Sequence, residues 1–212
     1  MRFTFLFTLV FLIASQSFSQ MDTIKTYYLD SMEQKRPCLL LLNQNKRARE
    51  ANKLRSINCI DSSGTMATYY PKQIKGYWLK NVFYRSFNTF FGDKRVDFFA
   101  EEITTGKASL YYYDPDLMNT PSLYIFKKSF QREFYFVQES ISAKSEIKDN
   151  NPKEKDKSEA YSEPIAFHEE EPYLQFFQSY LADCKDVALK FRSKWYSFSS
   201  VETMFKDYNK CK

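Results

Sequence analysis

Few residues in this chain could do chemistry, and their spacing narrows what that chemistry is. The one histidine, His168, stands at the head of Glu169-Glu170-Glu171. Acyl transfer through a serine or cysteine nucleophile needs a positioned base and an oxyanion hole. In its Glu-rich approach to a helix His168 is badly placed to be that base, and it reads as a solvated boundary residue. No G-x-S-x-G segment occurs, and the four glycines, Gly64, Gly76, Gly92 and Gly106, are too scattered to build a phosphate-cradling loop.

Glu101 and Glu102 are adjacent in a segment that reads as a strand, so their side chains point to opposite faces. Glycoside hydrolysis needs two carboxyls facing one substrate. Glu101 would therefore need a distant partner such as Asp97 or Asp114, and solvent-facing acids account for the same letters. The cysteines are Cys38, Cys59, Cys184 and Cys211. None lies within two to four residues of another, so a tetrahedral zinc site would have to be gathered from across the chain. The sequence thus implies no metal and no cofactor. In an oxidising compartment an even cysteine count suggests two disulfides, with three connectivities open.

The aromatic load is the unusual quantity: 16 Tyr, 21 Phe and 2 Trp. Most of these rings must be core. A binding platform would need several on one exposed side of a sheet, and Trp78, Tyr84, Tyr111 and Tyr113, with Arg85 as a polar anchor, are the candidate binding residues.

The elements that would position these residues begin after a leader. Arg2, an apolar run from Phe3 to Ile13 and the small-residue end Ser17-Phe18-Ser19 have the form of a secretory signal peptide over residues 1–19. The apolar run is too short to span a bilayer. Cleavage there would leave 193 residues and lower the formal charge from +5 to +4. No later apolar run approaches the length of a membrane span, so none is expected in the mature chain. Basic and acidic residues are interspersed, which argues against nucleic acid as a partner. The longest charged tract, Lys144 to Glu163, holds five Lys against six acids.

Residues 20–141 read as a β-rich domain, 142–168 as a flexible charged linker and 169–212 as helices. Met21 to Arg55 is mixed: Cys38 to Leu42 is compatible with a buried strand, and Lys46 to Leu54 with a short helix or irregular excursion. Strands are expected at Ser56 to Ile60, Thr65 to Tyr70, Ile74 to Lys80, Val82 to Phe87, Val96 to Ile103, Ala108 to Tyr113, Leu123 to Lys127 and Glu133 to Val137. Their short connections predict an antiparallel meander. Alternation at Ala108, Leu110 and Tyr112 against Ser109, Tyr111 and Tyr113 suggests a sheet partly covered on both sides, or one exposing tyrosine edges. Linker composition predicts disorder around Ser142 to Glu163.

Pro172 after three glutamates predicts a helix start. Leu174, Phe177, Leu181 and Cys184 fall on one helical face, and Val187, Phe191 and Trp195 continue a second apolar stripe. Ser199 with Glu202 has the form of a capping box. Beyond it Val201, Met204, Phe205, Tyr208 and Cys211 share a face. Cys184 and Cys211 each lie on an apolar side, so either two buried thiols or a disulfide fits. A bridge would close a loop worth about 3 kcal/mol, and the reading favours it. The fold class expected is α+β, a mostly antiparallel sheet followed by small helices that dock on the sheet or stand apart.

Three segments carry a resemblance. Tyr69-Tyr70-Pro71-Lys72-Gln73-Ile74-Lys75-Gly76-Tyr77 resembles a Y-x-P-x-x-I-x-G-Y/F segment. Gly106-Lys107-Ala108-Ser109-Leu110-Tyr111-Tyr112-Tyr113 resembles G-K-x-S-L-Y-x-Y. Leu181-Ala182-Asp183-Cys184 and Tyr208-Asn209-Lys210-Cys211 are similar to a paired L-x-D-C and Y-N-x-C ending. Together they resemble a group of exported proteins of Bacteroidetes-type bacteria with no assigned reaction. The resemblance covers roughly residues 55–140 and 172–212. It implies an envelope or secreted location and a Cys184–Cys211 pairing; Cys38 matches none of its motifs, so a Cys38–Cys59 bridge is left open.

The functional expectation is a non-catalytic exported module that binds an envelope glycan or protein. The alternatives are a carboxylate-dependent hydrolase of polysaccharide or peptide, and an assembly protein that pairs through a sheet edge.

Overall fold

The structure, a computed structural model, describes residues 21–45, 49, 53–91, 93–115, 122–139 and 164–211. The signal-peptide reading, most of Lys46 to Leu54 and the charged tract through residue 163 lie outside the described residues. Among the described residues the chain forms β1 (Met21–Leu29), β2 (Lys35–Asn43), β3 (Ile57–Ile60), β4 (Met66–Tyr69), β5 (Gly76–Leu79), β6 (Val82–Phe91), β7 (Lys94–Thr104), β8 (Ala108–Tyr113), β9 (Leu123–Lys128), β10 (Tyr135–Gln138), α1 (Glu170–Tyr180), α2 (Lys185–Arg192) and α3 (Val201–Lys210). The strands form an antiparallel sheet in the order β10-β9-β8-β7-β6-β5-β1-β2-β3-β4. The chain divides into two compact units at residues 86 and 87, within β6.

In the first unit β1 is the strand that residue composition hides. Ile24, Thr26 and Tyr28 alternate with the exposed Thr23, Lys25 and Tyr27, a period of two that fits a half-buried strand. It pairs with β2 along its whole length and with β5 at its end, where Tyr28 faces Tyr77 and Leu29 faces Gly76. The expected meander is therefore interrupted: β4 and β5 are not neighbours, because β1 lies between β5 and β2. The buried face of this unit carries Cys38, Leu40, Ile57, Cys59, Tyr77 and Tyr84. Leu54 is buried with them, and the Tyr77 hydroxyl donates to the Lys53 carbonyl at 2.6 Å.

The second unit settles where the helices go. Ala108, Leu110, Tyr124, Phe126 and Val137 from the strands form one core with Tyr173, Phe177 and Leu181 of α1 and its end, Val187 of α2, and Val201, Met204, Phe205 and Tyr208 of α3. The helices thus dock on β8 and β9 and share their core, the first of the two arrangements expected for them. The opposite face of β8 is covered as well: Tyr111 and Tyr113 are buried against Phe87, Phe98 and Phe134.

Two local readings are corrected. The helix α2 ends at Arg192, so the stripe through Val187 and Phe191 does not reach Trp195, which is 70% exposed. The capping box is made by Ser197 and Ser200, because a 3-10 turn at Phe198–Ser200 precedes α3 and moves the reciprocal pair ahead of Ser199 and Glu202.

Candidate functional site

The strongest candidate lies on the outer face of the first unit. Pairing places Tyr27 beside Trp78, since Tyr28 faces Tyr77, and Trp78 faces Phe83. Three rings from β1, β5 and β6 therefore stand in a row across the strands. Tyr27 is 45% exposed, while Trp78 and Phe83 are half-buried. The Trp78 and Phe83 centroids are 4.6 Å apart. Phe83 reaches this position because Gly76 has no side chain: a Cβ there would lie 2.6 Å from the Phe83 ring and 2.5 Å from the Tyr84 carbonyl oxygen. Gly76 of the first motif is thus needed for close approach.

Lys35 of β2 completes the row. Its ammonium lies 4.4 Å from the Tyr27 centroid and 4.8 Å from the Trp78 centroid, within cation–π range of both. Thr26, buried at 7%, donates to the Trp78 carbonyl at 2.6 Å and ties β1 to β5 beneath the rings. Such an arrangement offers a ligand partly exposed rings with a cation held over two of them.

The five residues singled out from the sequence do not form one platform. Trp78 stands in the row, and Arg85, half-buried, faces Gly76 on the same outer side. Tyr84, Tyr111 and Tyr113 are buried, at 4%, 3% and 0% exposure, so their faces are engaged in packing. Tyr84 points to the other side of β6 and stacks on Tyr77 at 5.1 Å. Tyr111 and Tyr113 belong to the second unit, where a layer of phenylalanines covers them. Sequence reasoning missed Tyr27, Lys35 and Phe83. The alternation around Tyr27 was available as a signal; the pairing of β1 with β5, which brings Tyr27 to Trp78, is a contact between distant segments.

The remaining candidates have structural surroundings. His168 is exposed. Asp97 pairs with Arg95 at 3.5 Å, Asp114 accepts from Ser122 at 3.0 Å, and Glu101 and Glu102 sit opposite Tyr112 and Tyr111 in β8, on opposite faces. Among the described residues no cluster of metal-ligating side chains occurs, and no helix is long and apolar enough to cross a membrane.

Two cysteine pairs form. Cys184 and Cys211 are disulfide-bonded, with Cα atoms 6.1 Å apart, inside the usual range. The Cys184 sulfur also accepts from the Val187 amide and caps α2. Cys38 and Cys59 are buried thiols on β2 and β3 whose sulfurs are 2.8 Å apart. A proton shared between them eases loss of the first and holds the second: the hydrogen bond with Cys59 lowers Cys38, and the same bond with burial raises Cys59.

The C-terminal motifs prove to be a clamp. The Asn209 side chain accepts from the Ala108 amide at 2.8 Å and donates to the Ala108 carbonyl at 2.9 Å and to Thr104 Oγ1 at 3.2 Å. Gly106 makes room for it, since a Cβ there would lie 2.9 Å from the Asn209 side chain. Asp183 accepts from Lys128 Nζ and from the Tyr208 hydroxyl, each at 2.7 Å. Burial works to raise this carboxyl, but the Lys128 and Tyr208 hydrogen bonds outweigh it and hold it below the ordinary carboxylate value. These motif residues position α3 on the sheet. No protein-family model, curated protein or solved structure matches the chain.

Proposed function

We propose that this chain is an exported, non-catalytic binding module of the cell envelope that engages its partner through the Tyr27, Trp78 and Phe83 row. The observation that carries this reading is the partly exposed row itself, with the Lys35 ammonium lodged over two of its rings. Rings held open to water at a fixed spacing cost hydrophobic stability unless something covers them. The Cys184–Cys211 pair supports export, since such bridges persist in oxidising compartments. In that setting Cys38 and Cys59, with sulfurs already in contact, form the second bridge. The resemblance to exported Bacteroidetes-type proteins points the same way.

The test uses the purified mature chain, Trp78→Ala and Trp195→Ala immobilised at equal density and exposed to envelope extract separated into glycan and protein fractions. Retention by the parent and Trp195→Ala, lost in Trp78→Ala, is the expected outcome. Equal retention by all three would sink the reading.

A further inference from the structure

We propose that the row on the first unit takes an acidic glycan, with sugar rings lying on the aromatic faces and carboxylates beside Lys25 and Lys35. This rests on the binding-module reading above and adds the ligand's chemical class.

The register defines what such a ligand would meet. By register Lys25 and Tyr27 of β1, Lys35 of β2, Trp78 of β5, and Phe83 and Arg85 of β6 share this outward face. These positions hold three cations and no carboxylate. The charge of the surrounding unit has the same sign: residues 21–86 contain 12 basic and 5 acidic residues, whereas residues 87–212 contain 18 and 21. The field at the row is therefore positive, although the whole chain is only +5.

Positive charge alone would suit any polyanion, and the rings narrow the choice. Tyr27, Trp78 and Phe83 sit on successive hydrogen-bonded strands, whose spacing is about 4.8 Å. Where the Lys35 ammonium moves from the rings to a ligand carboxylate, they form a shallow ladder that accepts flat apolar faces side by side, as the CH faces of linked sugars present them. An acidic peptide would gain most by pairing its backbone with a free sheet edge. Here β1 is paired with β2 and β5 with β6 along their lengths, and β5 meets the other edge of β1 at Tyr28 and Leu29, so beneath the three rings the strands pair with one another. Stacking and charge remain as the means of recognition, which favours a glycan over a peptide.

The chain has two tryptophans, Trp78 and Trp195. A Trp195→Phe background therefore leaves one indole, at the row, as a direct reporter. In this background the protein is titrated with oligogalacturonate, neutral dextran oligomers, poly-glutamate and phosphatidylglycerol vesicles. The expected result is a saturable change in Trp78 emission with oligogalacturonate that weakens as salt rises. Lys35→Met should weaken that binding about tenfold, the loss expected for one charge-assisted contact. Lys25→Ala should weaken it by a smaller factor, while Lys206→Met in the second unit leaves it unchanged.

Equal response to dextran would overturn the acidic assignment, and a stronger response to poly-glutamate or vesicles would overturn the glycan assignment. So would silence with all four probes, or a Lys35→Met variant of unchanged circular dichroism that binds as well as the parent. If envelope retention still depends on Trp78 in any of these cases, the ligand class alone has failed. If retention is also indifferent to Trp78, the binding-module reading has failed with it.

Discussion

The two units use aromatic rings in opposite ways. In the second, Phe126 is fully buried and packs on Phe177, Tyr180 and Phe205, with centroids 5.0–5.3 Å away. In the first, Tyr27 stays open to solvent, and Trp78 and Phe83 are half-buried beside a lysine. The letters are alike; the difference is whether a second layer covers that face of the strand. Three helices clamped by a disulfide, by Asn209 and by Asp183 supply that layer over β8 and β9. Charge follows the same division, basic where rings are open and slightly acidic where they are covered. A ring's type therefore says little about its role until the layer above it is known.

The comparison predicts a large gap in what ring removal costs. Phe177→Ala should destabilise the second unit by about 3–5 kcal/mol, because a fully buried ring leaves a cavity that its neighbours fill only in part. Tyr27→Ala should change stability by no more than about 0.5 kcal/mol. Urea unfolding of both variants measures the gap. Similar losses would mean that Tyr27 is a packing residue and that the two faces do not differ in kind.

The next effect tests the clamp. Cys211→Ser removes the bridge to Cys184 but keeps the Cys184 sulfur as the cap of α2. It should cost about 3 kcal/mol, the loop entropy of a 27-residue separation. The loss should appear in the helical far-ultraviolet signal at lower denaturant than in the parent, while Trp78 emission in the Trp195→Phe background is unmoved. Loss of Trp78 emission at the same lower denaturant would show that the clamp supports both units, and the comparison would need redrawing.

Local pattern was readable wherever partners are near in sequence. The eight strands from Ser56 onward correspond to β3 through β10, with Ala108–Tyr113 matched at both ends, because each is a short ring-rich run between turn residues. The helical faces through Phe177, Leu181, Met204, Phe205 and Tyr208 followed from their 3.6-residue spacing, as did the placement of Cys184 and Cys211 on those faces. Reading failed where the partner is remote. β1 owes its place to pairing with β5 some 50 residues away, so neither the insertion into the meander nor the Tyr27–Trp78 neighbourhood could be seen. Tyr111 and Tyr113 alternated as an outward face should, yet phenylalanines of β6 and β7 bury that face. The motif residues were legible as motifs, but their purpose was not: Asn209 against Gly106 is a contact across the whole of the second unit.

The smallest effect is the sharpest, because its sign differs between two tyrosines of one core. Tyr208 is 2% exposed and its hydroxyl donates to Asp183. Tyr208→Phe removes that bond and weakens the hold on a carboxylate that Lys128 shares, which should cost about 1 kcal/mol. Tyr173 is fully buried, and its hydroxyl has no hydrogen-bond partner among the described residues. Burial holds that hydroxyl well above the ordinary tyrosine value, so it stays protonated and unpaired among Phe167, Phe177 and Phe198. Deleting an unsatisfied buried hydroxyl removes a desolvation penalty and keeps the ring contacts, so Tyr173→Phe should be neutral or stabilising by up to about 1 kcal/mol. Paired urea titrations of the two variants give both signs in one experiment. If Tyr173→Phe costs as much as Tyr208→Phe, the Tyr173 hydroxyl holds a buried water, and the core of the second unit is wetter than its rings imply.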